Sequence, residues 1–273
     1  MAVKSGLNKQ QKHLAVLIDA DNASAAIVEG LFEEIAKYGV ASVKRIYGDW
    51  TGPQLGSWKK VLLEHSIQPI QQFAYTTGKN ATDSSMIIDA MDLLYTHRFE
   101  GFCLVSSDSD FTRLAARIRE EGLEVIGVGE QKTPKPFISA CDTFIYSELL
   151  RKEQISEEPE VTSVPASEAP ATETAAAKPP KAPTALIAKV IDDISDEDGW
   201  TTLSALGVNI RKLKPDFDAR LYGYAKLSEL IKARNGQFEM QQQGVTATGG
   251  RVLAVRNRKN GGFTTTIKTV STY

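Results

Sequence analysis

Five short apolar runs alternate with helix-period stretches through the first 130 residues, and this alternation constrains the fold more than any other feature. The runs are Leu14 to Ile18 (LAVLI), Val40 to Tyr47, Ile67 to Phe73, Gly101 to Ser106 (GFCLVS) and Glu124 to Val128. Each has the length of a strand and falls short of a typical helix. Between them, Ala23 to Tyr38 repeats apolar residues at helical spacing (Ala26, Ile27, Leu31, Ile35) and Trp58 to His65 reads as a short helix. Asp83 to His97 reads as a helix capped by Thr82, and Phe111 to Glu121 as one ended by Gly122. Strands that alternate with helices build βαβ units, so the expected fold is α/β, a parallel sheet flanked by helices on both faces.

The pattern stops near residue 150. From Glu153 to Pro183 the chain is rich in Pro, Ala, Glu, Ser and Thr and nearly devoid of large apolar side chains. Such a segment cannot bury enough surface to offset the entropy of ordering it, so 151–183 is expected to be a disordered linker. Beyond it, Ala185 to Ile194 is amphipathic, Gly199-Trp200-Thr201 turns into a second helix that ends before Pro215, and Lys226 to Ala233 forms a third. Gln237 to Met240 and Arg251 to Val255 then read as a strand pair. Helices followed by a hairpin suggest a small winged helix-turn-helix-like α+β domain over 184–258. The Gly- and Thr-rich stretch 259–273 is expected to be a flexible tail, and 10–150 to be the α/β domain.

Composition narrows the function. Lys and Arg number 32 against 34 Asp and Glu, a net charge of −2, so the whole chain is not an obvious polyanion binder, although one part can still carry a basic face. The two cysteines, Cys103 and Cys141, and three scattered histidines offer no zinc-ligand spacing. Sparse cysteine use fits a reducing, cytoplasmic setting. No apolar run reaches the length of a signal segment or a membrane span, so a soluble protein without membrane association is expected.

Function in open α/β sheets gathers beyond the carboxyl ends of the strands. Asp19, Asp21 and Asn22 close the first apolar run in LIDADN, Asp108 and Asp110 follow the fourth in LVSSDSDF, and Asp83 opens the helix after the third. Carboxylates brought together raise one another's pKa, and a divalent cation held by oxygen ligands relieves that repulsion. Such a cation polarises a phosphodiester and activates water. The competing reading is that Asp83, Asp108 and Asp110 are ordinary capping and turn residues, which applies well to one of them and less well to three clusters at successive element ends. Asp89 lies about 120° around the helix from Asp83 and ranks second as a candidate, while Asp92 reads as surface. Tyr47, Trp50 and Trp58 read as packing beneath a loop.

These residues also carry a family resemblance. LIDADN, GKNATDSSMIIDA and SSDSDFTRLAARIREEG, in that order, resemble the NYN domain, a branch of the PIN-like nuclease superfamily, over about Leu14 to Leu149. The resemblance implies a PIN-like fold and metal-dependent ribonuclease activity with Mg²⁺ or Mn²⁺. It implies Asp19, Asp83, Asp108 and Asp110 as the catalytic, metal-binding acids, Asn22 and Ser106 as supporting polar groups, and Lys79 as a phosphate contact. One departure is Lys79-Asn80-Ala81-Thr82-Asp83, where a tighter Lys-Gly-x-Asp is commoner. LIAKVIDDI, DGWTTLSALGVNIRKLKPDF and YGYAKLSELIKA resemble a LOTUS (OST-HTH) module, which implies a binder of RNA or of a protein partner. Arg211, Lys212 and Lys214, with Arg251, Arg256 and Arg258, supply cationic patches suited to phosphate, or else a solvated helix face.

The expected function is therefore an RNA-cutting nuclease with a tethered module that recruits RNA or a partner. Two alternatives come from other classes. One is a non-catalytic RNA-binding adaptor. The other is a phosphatase similar to the haloacid-dehalogenase group, suggested by Asp19-x-Asp21 but opposed by Ala23 where that group usually has Thr or Val.

Overall fold

The computed structural model describes residues 11–73, 81–151, 180–245 and 251–258. The chain divides into two compact units. In the first, β1 (His13–Asp19), α1 (Val28–Ile35), β2 (Val40–Gly48), α2 (Gly56–Val61) and β3 (Gln68–Gln71) follow in order. Then come α3 (Ala81–Tyr95), β4 (Gly101–Val105), α4 (Thr112–Glu120), β5 (Glu124–Gly129), α5 (Lys135–Ala140) and β6 (Thr143–Tyr146). All six strands are parallel, in the order β3-β2-β1-β4-β5-β6. The α/β class read from the sequence holds, and the structure adds α5 and the edge strand β6.

Strand alternation sorts the core into two layers. Ala15 and Leu17 of β1, with Phe102 and Leu104 of β4, face Met86 and Ala90 of α3 and Phe111, Leu114 and Ile118 at and beyond the start of α4. Leu14, Val16 and Ile18, with Cys103 and Val105, face Leu31 of α1 and Trp58 of α2. From Leu14 to Asp19 every residue of β1 is buried, as expected of a central parallel strand covered on both sides. Tyr47 and Trp58 are buried as packing residues, and Trp50 is half-buried with its indole N–H donating to the Ile70 carbonyl at 3.0 Å.

Two local expectations change. Thr82 lies inside α3, which already includes Ala81, so it is not the flanking cap. Helix ends read from sequence carry an uncertainty of this size. Phe111 belongs to a 3-10 turn, Ser109–Phe111, that precedes α4, because Asp108 caps the chain three residues earlier. Gly122 does end α4, with φ 79°.

The second unit holds α6 (Thr184–Ile194), β7 (Thr201–Thr202), α7 (Leu203–Leu213), α8 (Leu227–Ala233), β8 (Phe238–Val245) and β9 (Arg251–Asn257). Its antiparallel sheet runs β7-β9-β8. Ile187, Val190 and Ile191 occupy one face of α6, and with Leu206, Ile210, Leu230, Phe238 and Val255 they are buried. Arg256 lies over the Trp200 ring, 4.6 Å from its centroid, and pairs with Glu239 at 2.8 Å. The expected linker core (152–179) and the tail (259–273) lie outside the described residues.

Candidate active site

The strand order places a topological switch at β1 and β4: the chain moves outward to β3 in one direction, then returns and proceeds to β6 in the other. The crossovers therefore diverge, leaving a crevice beyond the carboxyl ends of these two neighbours. Asp19 ends β1, and Ser106 follows β4 by one residue. Their parity matters. Asp19 continues the Ala15–Leu17 series and Ser106 continues Phe102–Leu104, so both side chains turn toward the α3 layer.

Asp19 is fully buried, and its two oxygens are held by three donors. The Asp21 backbone N–H donates to Oδ1 at 3.0 Å. Asn22 Nδ2 and Ser106 Oγ donate to Oδ2 at 2.6 and 2.9 Å. Burial pushes the Asp19 pKa up, and the hydrogen bonds from Asn22, Ser106 and Asp21 work against that rise. Ser106 Oγ also accepts the Asp108 backbone N–H at 3.1 Å, so one hydroxyl ties the end of β1 to the loop after β4.

Asp108 uses Oδ1 to accept the Asp110 N–H at 2.9 Å, capping the 3-10 turn. The capping reading is thus correct for Asp108, and it does not exclude a second role. One carboxylate oxygen from each of Asp83, Asp108 and Asp110 lies within 4.8 Å of the others. Asp83, in the first turn of α3, has its pKa pushed up to about 6. Partial burial is the main cause, followed by the negative charges of Asp19, Asp108, Asp110 and Asp21. Four acids thus share one crevice: three can converge on a single point, while Asp19 sits behind them with both oxygens engaged. The donors are all hard carboxylate oxygens, and their excess negative charge is of the kind a divalent cation neutralises.

Other expected site residues are placed less directly. Lys79 lies outside the described residues. Arg211, half-buried, and Lys212, exposed, sit in the last turn of α7 in the second unit, where cations also favour the helix carboxyl end. Lys212 Nζ donates to Asn209 Oδ1 at 3.4 Å. Asp89 is engaged elsewhere: its Oδ2 accepts Arg45 Nη1 at 2.8 Å and the Tyr47 hydroxyl at 2.6 Å. Asp92 is exposed. Ser107 was not anticipated: buried beside Ser106, it accepts the Glu130 N–H at 2.8 Å and ties the end of β4 to the end of β5. Two successive hydroxyls at a strand end were the available signal.

The sequence profile of the NYN domain matches residues 13–149, half of the chain. The chain belongs to the NYN domain family. The NYN domain thus coincides with the six-stranded unit and includes all four acids. The OST-HTH/LOTUS domain profile matches residues 176–248, so the NYN domain is followed by a C-terminal LOTUS domain. Among solved structures, the chain is similar to a protein of unknown function from Vibrio parahaemolyticus RIMD 2210633. That match has 17% identity over 52% of this chain and 96% of the other, with a TM-score of 0.44. It is also similar to an uncharacterized protein from Nitrosomonas europaea, at 31% identity over 39% of this chain and 95% of the other, with a TM-score of 0.28. No curated protein matches the chain.

Proposed function

We propose that this NYN protein is a metal-dependent ribonuclease whose acids are Asp19, Asp83, Asp108 and Asp110, with the LOTUS domain as its RNA- or partner-recruiting module. The observation that carries the reading is the convergence of Asp83, Asp108 and Asp110 at the switch-point crevice. Mg²⁺ or Mn²⁺ held by these three would supply Lewis acidity at an RNA phosphodiester and a water of lowered pKa. The chain's own groups do the positioning. Asp108 is fixed by its cap and by Ser106. Asp19, held by three donors, orients Asn22 and Ser106 and adds negative charge behind the ligand carboxylates. Asp83, with its raised pKa, holds a proton part of the time near neutrality, and a bound cation would displace it.

Recruitment by Arg211 and Lys212, and a phosphate contact from Lys79, belong to this proposal. Carrying both domains on one chain would raise the local RNA concentration by tethering. Among the described residues no helix is long and apolar enough to cross a membrane. The two free cysteines are buried, which fits the reducing cytoplasmic setting we propose.

The test is cleavage of end-labelled single-stranded and structured RNA with Mn²⁺, Mg²⁺ or EDTA, beside Asp19→Asn and Asp108→Asn. Metal-dependent products lost in both variants are expected. Folded wild type that binds RNA and leaves it intact under every metal condition would replace the nuclease with a non-catalytic adaptor.

A further inference from the structure

A cavity of about 480 Å³ opens between the β2–β3 edge of the sheet and α3, lined by Arg45, Gln68, Ile70, Gln72, Ser84 and Ile88 among others. Its two walls follow from secondary-structure period. Gln68, Ile70 and Gln72 recur at every second residue and share one face of the β3 segment. Ala81, Ser84, Ser85, Ile88 and Asp89 recur at helical three- and four-residue spacing and share one face of α3. Gln71, of opposite parity, is engaged elsewhere: it donates to Asp49 and accepts from the Trp50 backbone.

The chemistry of the lining discriminates among ligands. Among the described lining residues Arg45 is the one cation, and its charge is matched by Asp89 at 2.8 Å, so these residues offer no net positive charge to capture a phosphate. The other described lining residues are two glutamines, two serines and the aliphatic side chains of Ile70, Ala81 and Ile88. Ile88 keeps 63% of its surface exposed, an apolar group at the mouth with little covering it. Carboxamides both donate and accept, which suits the edges of a heteroaromatic ring, and aliphatic groups suit its faces. The volume falls within the range of small-ligand sites, about 300–1,000 Å³. Ser84 directly follows Asp83, so one residue of the cavity wall and one acid of the crevice are successive positions in the first turn of α3.

We infer that this cavity is a nucleobase site for single-stranded RNA, seating a base next to the phosphodiester presented to the acids. Its place beside the cut rests on the nuclease reading; base binding itself does not. Gln68 and Gln72 read the base edge, Ile70 and Ile88 hold its faces, and Arg45 is fixed by Asp89 as part of the wall.

The test uses the full chain and a random-sequence single-stranded RNA pool. It compares wild type, Gln68→Ala with Gln72→Ala, and Ile88→Asp; circular dichroism checks that each is folded. Ultraviolet cross-linking in EDTA, mapped by mass spectrometry, is expected to give adducts on peptides holding Gln68–Gln72 or Ser84–Ile88, reduced about three- to tenfold in both variants. Sequencing of Mn²⁺-dependent products is expected to show a base preference at a fixed offset from the cut, flattened in the variants. Cross-links confined to other peptides, or equal in wild type and variants, overturn the base site. Cross-links here without cleavage by wild type leave the base site standing and remove the nuclease reading.

Discussion

Replacing Asp83 with Asn should stabilise the metal-free protein and abolish its response to metal. The raised pKa, about 6 against 3.8, means that the folded state binds the Asp83 proton more tightly than the unfolded state does. Ionisation therefore costs stability as pH rises from about 4 to about 6, and the full penalty is present above that window. At about 1.36 kcal/mol per unit the ceiling is about 3 kcal/mol. Asp83 is only half-buried, so solvent screening reduces this to about 1 kcal/mol. Asn keeps the shape and removes the charge. In EDTA at pH 8, Asp83→Asn should melt about 3 °C above wild type, and the gap should close as pH approaches 4. Added Mn²⁺ should reverse the order, because ligand binding stabilises only the protein that retains the site. Differential scanning fluorimetry at pH 8 and pH 4, with EDTA or Mn²⁺, reads all four conditions. A variant that melts below wild type in EDTA at pH 8, or shows the same Mn²⁺ shift, refutes the argument that these carboxylates repel one another across a cation site.

Ser106→Ala removes a hydrogen bond to the buried Asp19 carboxylate and an acceptor for the Asp108 N–H. A cost of about 2 kcal/mol is expected, seen as a lower melting temperature, with a weakened Mn²⁺ shift because Asp108 loses its tether. Asp89→Asn leaves the Arg45 guanidinium, three-quarters buried, without its counter-charge and deprives the Tyr47 hydroxyl of an ionised acceptor. This should cost about 2 kcal/mol while leaving the Mn²⁺ shift intact, and loss of that shift would mean that Asp89 belongs to the metal site.

The parts of this protein that were readable in advance are those whose physics is local. β1, β4 and β5 are nearly continuous apolar runs because both faces of a central parallel strand are covered, and their length alone separates them from helices. β6 is four residues at the sheet edge (TFIY), and α5 is six residues containing Pro136, so neither has enough period to stand out. β7 has two residues and exists because β9 pairs with it. The same division runs through the site. Helical angle alone separates Asp89 from Asp83, and the structure gives the two faces different partners: Arg45 and Tyr47 for one, the acidic crevice for the other.

Strand parity could also have paired Ser106 with Asp19, since each extends a series that faces α3. What no local rule gives is the inequality among the four acids. A sequence motif presents Asp19 as an equal of Asp108, yet Asp19 is buried with three donors on its oxygens, whereas Asp83, Asp108 and Asp110 can bring oxygens to one point. Those donors come from two segments 84 residues apart in sequence (Asn22 and Ser106), joined only once β1 pairs with β4. Three donors take three of the roughly four lone-pair sites of the Asp19 carboxylate, and its negative charge is felt at Asp83. On the proposed reading, Asp19 is the most constrained of the four acids, and Asp83, Asp108 and Asp110 are the three whose oxygens converge.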